Sequence, residues 1–177
     1  MLSRLTDVDA DPQQAREAIR SALADLDLPW SEARRGLFSV TLPGTAKLTT
    51  ECALELGEHG LQIRAFVARN PDENHVGVYR WLLMRNLKLY VVAFSVDSLG
   101  DIYLTGRVAL GRITVAEVDR ILGAVADAAD TSFNPILELG FAESIRREWV
   151  WRRSRGESTA NLAAFAHLDP ERQLSSE

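Results

Sequence analysis

The segment YRWLLMRNLKLYVVAFSVDSLGDIYLTGRVAL, residues 79–110, contains the end of a helix, a turn and two alternating strands. Asn86 predicts the helix end, because asparagine adopts the left-handed conformation that terminates helices more readily than most residues. Apolar residues then alternate over 90–96 and 102–110, which is typical of half-buried strands. The intervening DSLGD contains a glycine and predicts a hairpin. Every polar residue here has a local structural explanation, so the segment indicates a fold and not a reaction site.

Upstream of this segment, the sequence predicts one helix, three strands and the start of a second helix. The first helix runs from Pro12 to about Leu26, with Asp11 as its cap. Three alternating segments between residues 38 and 67 are separated by PGTA and GEHG and predict an antiparallel meander. NPDE, residues 70–73, has the capping pattern of a helix start. The buried face of that helix is predicted to contain Val76, Tyr79, Leu82, Leu83 and Leu87.

Downstream of the segment, helices are predicted to complete the fold. Thr114 and Glu117 form a capping box that starts one helix, and SFNP, residues 132–135, is predicted to interrupt it. A further helix would run from Pro135 to about Arg153 and end at Gly156.

The predicted fold class is α+β, with helices packed on one face of an antiparallel five-stranded sheet. The predicted order is α-β-β-β-α-β-β-α, followed by a C-terminal helical extension. We predict one domain over residues 1–133, and a helical extension with a polar tail over 134–177.

Composition and charge narrow the function class. The single cysteine, Cys52, excludes an intramolecular disulfide and a cysteine-clustered metal site. The first 14 residues have no apolar signal region, and the densest apolar run, LYVVAF, is too short to span a bilayer. A net charge of -5 gives no general basis for binding nucleic acid or an anionic membrane. We interpret the chain as a cytoplasmic protein without membrane insertion.

The segment from Val76 to Asp130 has a helix that closes on LLxxN, then VVAFSVDSLGDIYL, then ITVAEVDRILGAV. This pattern resembles the YbjN family, which shares the fold of bacterial type III secretion chaperones and is also labelled as sensory transduction regulators. The resemblance covers about residues 12–130, and Leu87 stands where members often have a second asparagine. It implies a small domain, often dimeric, that holds a protein segment and has no established catalytic residue. The later stretch LGFAESIRREWVWRRSRGES resembles actinobacterial members. The matching residues are Leu82, Leu83, Asn86, Phe94, Val96, Asp97, Gly100, Ile102, Leu104, Ile113, Thr114 and Val118.

Residue types that perform chemistry are present, but their spacing favours structural roles. Cys52 alternates with apolar neighbours on a predicted strand and is interpreted as a small buried hydrophobe. Asp97 and Asp101 flank a turn, where Asx hydrogen bonding is the commoner explanation. The three histidines, one of which is His75, have no metal-ligand spacing. No catalytic residue, cofactor or metal is predicted; an enzyme would need Asp97, Asp101 or His75 to converge on a pocket.

The sequence IRREWVWRRSR, residues 145–155, has five arginines against one glutamate and two tryptophans. Its Arg and Trp side chains could bind phosphates and bases, an acidic protein or a membrane face. Alternatively, Trp149 packs on the sheet and the arginines pair with the acidic remainder of the chain. The following NLAAF patch, residues 161–165, packs either on its own domain or on a partner.

We predict a non-enzymatic, cytoplasmic protein-interaction domain, adaptor-like or chaperone-like and possibly regulatory in role, which forms a homodimer. An apolar segment of another protein would bind the open sheet face or a sheet edge. The alternative is nucleic-acid binding through the Arg-Trp-rich C-terminal helix. The residues predicted to contact a partner are Arg147, Trp151, Arg152, Arg155, Leu162 and Phe165.

Overall fold

The computed structural model describes residues 11–174, which form an α+β domain around a six-stranded antiparallel sheet. The strand order is β1-β2-β3-β4-β6-β5. This confirms the predicted class and the antiparallel sheet, but the predicted number of five strands is wrong. The helices and strands are α1 (Pro12–Asp25), β1 (Trp30–Arg34), β2 (Leu37–Pro43), β3 (Thr49–Leu56), β4 (Gly60–Ala68), α2 (His75–Asn86), β5 (Val92–Val96), β6 (Ile102–Ala109), α3 (Val115–Gly140), α4 (Ala142–Arg155) and α5 (Pro170–Leu174), with 3-10 segments at Leu110–Arg112 and Ala160–Leu168.

The additional strand is β1, which pairs with β2 at one edge of the sheet. Only Trp30 and Glu32 of β1 are partly buried, so the strand lacks the alternation of apolar residues that predicts strands. Glu32 attaches β1 to α1 by accepting hydrogen bonds from Arg16 Nε at 2.8 Å and Arg20 Nη1 at 2.9 Å. It also accepts from the Gly36 amide at 2.8 Å. The hydrogen bonds from Arg16 and Gly36 lower the pKa of Glu32 to about 2.

The NPDE sequence does not start α2, and that prediction is wrong. The amides of Asp72 and Glu73 donate to the carbonyl of Gly140 at 3.0 and 3.2 Å, and α2 begins only at His75. Glu73 Oε1 in turn accepts from the amide of Glu143, in the first turn of α4, at 2.8 Å. The carboxylate therefore caps a helix, as its position in the sequence suggested, but that helix is α4 and not the next one along the chain.

The predicted interruption at SFNP is also wrong, because α3 is continuous through Pro135. A proline costs the helix one backbone hydrogen bond. Burial nevertheless continues at helical spacing on both sides of it, over Ala129, Ser132 and Ile136, so one packed face extends across the proline. The predicted domain boundary between 133 and 134 falls inside this helix, and the division of the chain stays a prediction.

Several local predictions are confirmed. Asp11 accepts from the amide of Gln13 and caps α1, and Thr114 Oγ1 accepts from the amide of Glu117 at 3.1 Å and caps α3. Gly156 ends α4 in the left-handed conformation, with φ of 67°. The region before residue 11, where the absence of a signal segment was predicted, lies outside the described residues.

Candidate interaction surfaces

Helix α2 has apolar side chains on two sides, and α3 together with β5 covers one of them. Val78 and Leu82 are buried, with 0% and 4% of their surface exposed, whereas Leu83 and Leu87 are 67% and 87% exposed. The predicted buried face is therefore right for Leu82 and wrong for the two flanking leucines and for Val76; Tyr79 is half-buried. The exposed side, called the α2 patch, consists of Val76, Leu83, Met84 and Leu87.

The α2 patch was not predicted from the sequence, because Val76, Leu83 and Leu87 were assigned to the same buried face as Leu82. A signal was available: Val76 and Val78, and likewise Leu82 and Leu83, lie too close in sequence to share one face of a helix. Apolar residues on opposite sides indicate a helix that is covered twice. Only one of these coverings comes from the part of the chain that the structure describes, so the patch is available to another molecule.

Asn86, the last residue of α2, covers the outer edge of the sheet. Its Oδ1 accepts from the amide of Phe94 at 2.7 Å, and its Nδ2 donates to the carbonyl of Phe94 at 3.3 Å. The amide side chain thus takes the hydrogen bonds that a neighbouring strand would make with the middle of β5. The left-handed conformation predicted for Asn86 is wrong, because the residue stays helical. The structural contribution of Asn86 therefore comes from its side chain and not from a left-handed backbone.

The face of the sheet that none of the described helices covers is polar. It exposes Gln62, Arg64 and Arg107, and the Arg64 guanidinium lies 4.1 Å from the centroid of the Tyr103 ring. Phe66 adds an edge-to-face contact with Tyr103, at 5.5 Å between ring centroids. A charged face of this kind offers little apolar area to an extended segment, so the open face fits the expected binding mode less well than the α2 patch.

The C-terminal part of the chain folds back on itself around Trp149. This indole is 6% exposed, and its Nε1 donates to the carbonyl of Phe165 at 3.3 Å. Arg153 lies over the same ring, 5.2 Å from its centroid, and forms a two-pronged ion pair with Asp169. Asp169 is 1% exposed, and the arginine holds the pKa of its carboxyl below the ordinary range. Trp149 therefore packs within its own chain, but against the C-terminal residue Phe165, whereas the interpretation expected it to pack on the sheet.

The structure separates the six residues predicted to contact a partner into three pairs. Leu162 and Phe165 are buried in the segment Ala160–Leu168, here called the tail segment, so NLAAF packs on its own chain. A partner could reach these two side chains only if the tail segment were displaced. Trp151 is 44% exposed, with the Arg155 guanidinium 5.6 Å from its ring centroid.

The remaining two predicted contacts are arginines with partners of their own. Arg152 pairs with Glu148 at 2.7 Å, and Arg147 donates to Ser144 Oγ at 2.8 Å. Residues 142–172 contain six arginines and five carboxylates, so the local charge is almost balanced. That these residues bind a partner stays a prediction.

The candidate catalytic groups have structural surroundings. Cys52 is fully buried, and desolvation raises the pKa of its thiol to about 12. Asp97 Oδ1 accepts from the amides of Leu99 and Asp101, at 2.9 and 3.0 Å, which confirms the Asx-type turn. Within residues 11–174 there is no group of three or more His, Cys, Asp and Glu side chains that could hold a metal ion. The described helices include none that is long and apolar enough to cross a membrane.

Residues 15–138 match the YbjN family, described as "Putative bacterial sensory transduction regulator", and the chain belongs to that family. Two mycobacterial relatives are close. The uncharacterized protein Rv0487 of Mycobacterium tuberculosis is 56% identical over 131 residues, which cover 74% of this chain and 72% of the relative. The uncharacterized protein ML2442 of Mycobacterium leprae is 54% identical over 129 residues, covering 73% and 70%.

Solved structures extend the comparison to secretion chaperones. A chain of the HopA1-SchA chaperone-effector complex is similar with a TM-score of 0.51 and 11% identity, covering 69% of this chain and 94% of that one. A chain of the ExsC-ExsE complex has a TM-score of 0.50 and 16% identity, covering 68% and 92%. At these identities the likeness shows a shared fold, and the expected secretion-chaperone-like architecture is confirmed.

Proposed function

We propose that the chain is a non-enzymatic, cytoplasmic adaptor that binds other protein chains through the α2 patch. The observation that carries the proposal is the exposure of four large apolar side chains on one side of a helix whose other side is already packed. Exposed apolar groups in a contiguous patch mark interaction sites, because removing them from water is favourable. Family membership and the chaperone complexes among the similar structures support the same class of function.

A second copy of the chain is the first partner that we propose. Two α2 patches brought together by a two-fold axis would each cover the apolar groups of the other, and an isologous dimer of this type is the commonest oligomer. Tyr79 and Arg80 line the same surface as the α2 patch, so a partner would also contact these two polar side chains. The exposed residues Trp151 and Arg155 are proposed as additional contacts for a further partner.

The test is the mass of the chain in solution, measured by light scattering after size exclusion. The double substitution Leu83→Glu with Leu87→Glu places two charges in the α2 patch, and we expect it to convert a dimer into a monomer. The matched control is Leu48→Glu with Leu99→Glu, since these leucines are 78% and 73% exposed and lie outside the patch. A monomeric wild-type chain, or equal masses for both variants, would contradict the dimer.

Adaptor binding is tested separately by affinity capture from native lysate with the same three proteins. We expect a defined protein that survives nuclease treatment, is recovered by wild type and control, and is lost with the α2 patch variant. Nucleic-acid binding remains the alternative, carried by the exposed Trp151 and Arg155. This alternative predicts nuclease-sensitive capture that falls steeply with salt. The near balance of charge in this region argues against it.

A further inference from the structure

A second apolar surface, distinct from the α2 patch, lies where the C-terminal helices meet the end of β4. It is a groove of about 460 Å³, within the size range of small-molecule sites. Part of its wall comes from α4 and the tail segment, which lie beyond the residues that match the family. The apolar residues that line it include Phe66, Ala68, Phe133, Leu137, Phe141 and Leu162.

Among the charged residues bordering this groove, Lys47 differs from the other two. Arg69 pairs with Asp72, and Glu148 pairs with Arg152. Lys47 makes no ion pair with any residue between 11 and 174. Its ammonium lies instead between two rings, 5.5 Å from the centroid of Phe66 and 5.4 Å from that of Phe133. The groove therefore combines apolar walls with one positive charge that no carboxylate of the described residues contacts directly, although the charge of Glu51 acts on it from a longer distance.

The backbone that carries Lys47 is fixed in position. Asp130 Oδ1, on α3, accepts hydrogen bonds from the amides of Thr45, Ala46 and Lys47, at 2.7, 2.7 and 2.9 Å. These bonds tie the turn between β2 and β3 to the same helix that supplies Phe133. The ammonium is half-buried, and desolvation lowers the pKa of Lys47 from the ordinary lysine value. A preorganised and partly desolvated cation binds an anion more strongly than a mobile, fully hydrated one.

We propose that this groove binds an aliphatic carboxylate, a molecule of the fatty-acid class. The hydrocarbon chain would lie along Phe133, Leu137 and Phe141, and the carboxylate would pair with the ammonium of Lys47. The positive charge of Lys47 favours an anionic ligand. The mostly apolar walls of the groove favour a ligand with a long apolar chain over a phosphate or a sugar. The proposal concerns residues outside the α2 patch and holds whether or not that patch binds a protein.

The experiment is isothermal titration calorimetry of the full chain with decanoate below its micelle concentration. We expect saturable binding of one decanoate per chain. Decanol and decyltrimethylammonium should bind at least about tenfold more weakly, because they lack the charged hydrogen-bonding partner of Lys47. Lengthening the carboxylate should raise the affinity by up to about fourfold for each methylene until the groove is filled.

The sequence offers a matched pair of variants, because Lys47 and Lys88 are its only lysines. Lys47→Met keeps an unbranched apolar side chain and should weaken decanoate binding by about tenfold or more, whereas Lys88→Met should leave it unchanged. Carbon-13 labelling of the lysines gives an independent readout, since decanoate should shift the Cε signal of Lys47 and not that of Lys88. Binding should survive Leu83→Glu with Leu87→Glu, which excludes the α2 patch as its site.

Four outcomes would overturn the proposal. They are no saturable binding of decanoate, equal affinity for decanol, an undiminished affinity of the Lys47→Met protein, and tighter binding of a short apolar peptide with a free carboxyl terminus. The last would identify the groove as a site for a protein end. An unchanged urea midpoint for Lys47→Met would show that its effect on binding does not come from unfolding.

Discussion

Helix α2 and the C-terminal part of the chain have opposite relations between apolar sequence and solvent. In α2, the leucines predicted to face the core at positions 83 and 87 are exposed. After α3, Trp149, Leu162 and Phe165, which carried an open choice between partner and domain, are buried within the chain. The more regular apolar helix thus provides the exposed patch, and the irregular, arginine-rich region closes on itself.

A hydrophobic pattern identifies the apolar sides of a helix or strand, but it does not identify what covers each side. The indole of Trp149 has a buried polar N–H, and the structure satisfies it with the carbonyl of Phe165, 16 residues later. Arg153 likewise finds its carboxylate in Asp169. These pairings depend on how the chain returns after Gly156, which no local pattern encodes. On α2, by contrast, no later described element lies over Leu83 and Leu87.

The largest expected effect separates the two tryptophans of α4. Trp149→Ala should lower the free energy of unfolding by about 3–5 kcal/mol, because it removes a buried indole and leaves a cavity beneath the tail segment. Trp151→Ala, at a position 44% exposed, should change it by less than about 1 kcal/mol. Urea unfolding followed by circular dichroism measures both. Equal losses of unfolding free energy for the two variants would contradict this prediction, because they would mean that Trp149 is not part of the cooperative core.

The next effect makes the same contrast within α2. Leu82→Ala should destabilise the chain by about 2–4 kcal/mol, since this side chain is 4% exposed and packs in the core. Leu83→Ala, its immediate neighbour, should stay within about 0.5 kcal/mol of wild type when measured on monomers. The measurement is urea unfolding at several protein concentrations, because dimer formation through the α2 patch would make the Leu83 result depend on concentration. A large loss for Leu83 in the monomer would show that another part of the chain covers it.

Local patterns were sufficient for much of this fold. The sequence predicted the helix caps at Asp11 and Thr114, the Asx turn at Asp97 and the burial of Cys52. Each of these depends on neighbours within a few residues or on strand alternation. Strand β1 could not be predicted in this way, because Trp30 is its only large apolar residue that packs against the core, and its link to α1 is electrostatic, through Glu32 and the arginines of that helix.

The site was less predictable than the fold, for a physical reason. The α2 patch depends on which side of a two-sided helix packs against α3 and β5, and the groove at Lys47 includes Leu162, which is 115 positions away in sequence. The capping role of Glu73 for α4 shows the same limit, since the motif was recognised and its helix was not. In each case the residue type was informative and its distant partner was not encoded locally.

A smaller effect concerns the junction between α2 and β5. Asn86→Ala removes two hydrogen bonds to the backbone of Phe94, and we expect a loss of about 1–2 kcal/mol in the free energy of unfolding. It also uncovers the sheet edge, so the variant should aggregate faster on warming, as followed by light scattering. Asn86→Asp keeps the acceptor and loses the donor, so its free energy of unfolding should lie between those of wild type and Asn86→Ala. An Asn86→Ala protein as stable and as soluble as wild type would show that the edge needs no cover.

The smallest expected effect is a response to acid that the C-terminal part has and α2 lacks. Asp169 has a folded-state pKa below its ordinary value of 3.8, and the largest cause is that Arg153 donates hydrogen bonds to it. A lowered pKa means that the ion pair contributes fully to stability above about pH 4, and that the contribution is lost as the pH falls toward the folded-state pKa. Val78 and Leu82, which pack α2 on the core, carry no titratable group.

The two regions each contain a tryptophan that reports this difference, Trp149 in α4 and Trp81 in α2. Nuclear magnetic resonance of the indole N–H groups during acid titration should show the Trp149 signal moving below about pH 4, before that of Trp81. Asp169→Asn removes the titrating carboxylate, so the early movement of Trp149 should disappear in that variant. Simultaneous movement of both signals in the wild-type chain would show that acid unfolds the domain as one unit and that the tail segment has no separate electrostatic attachment.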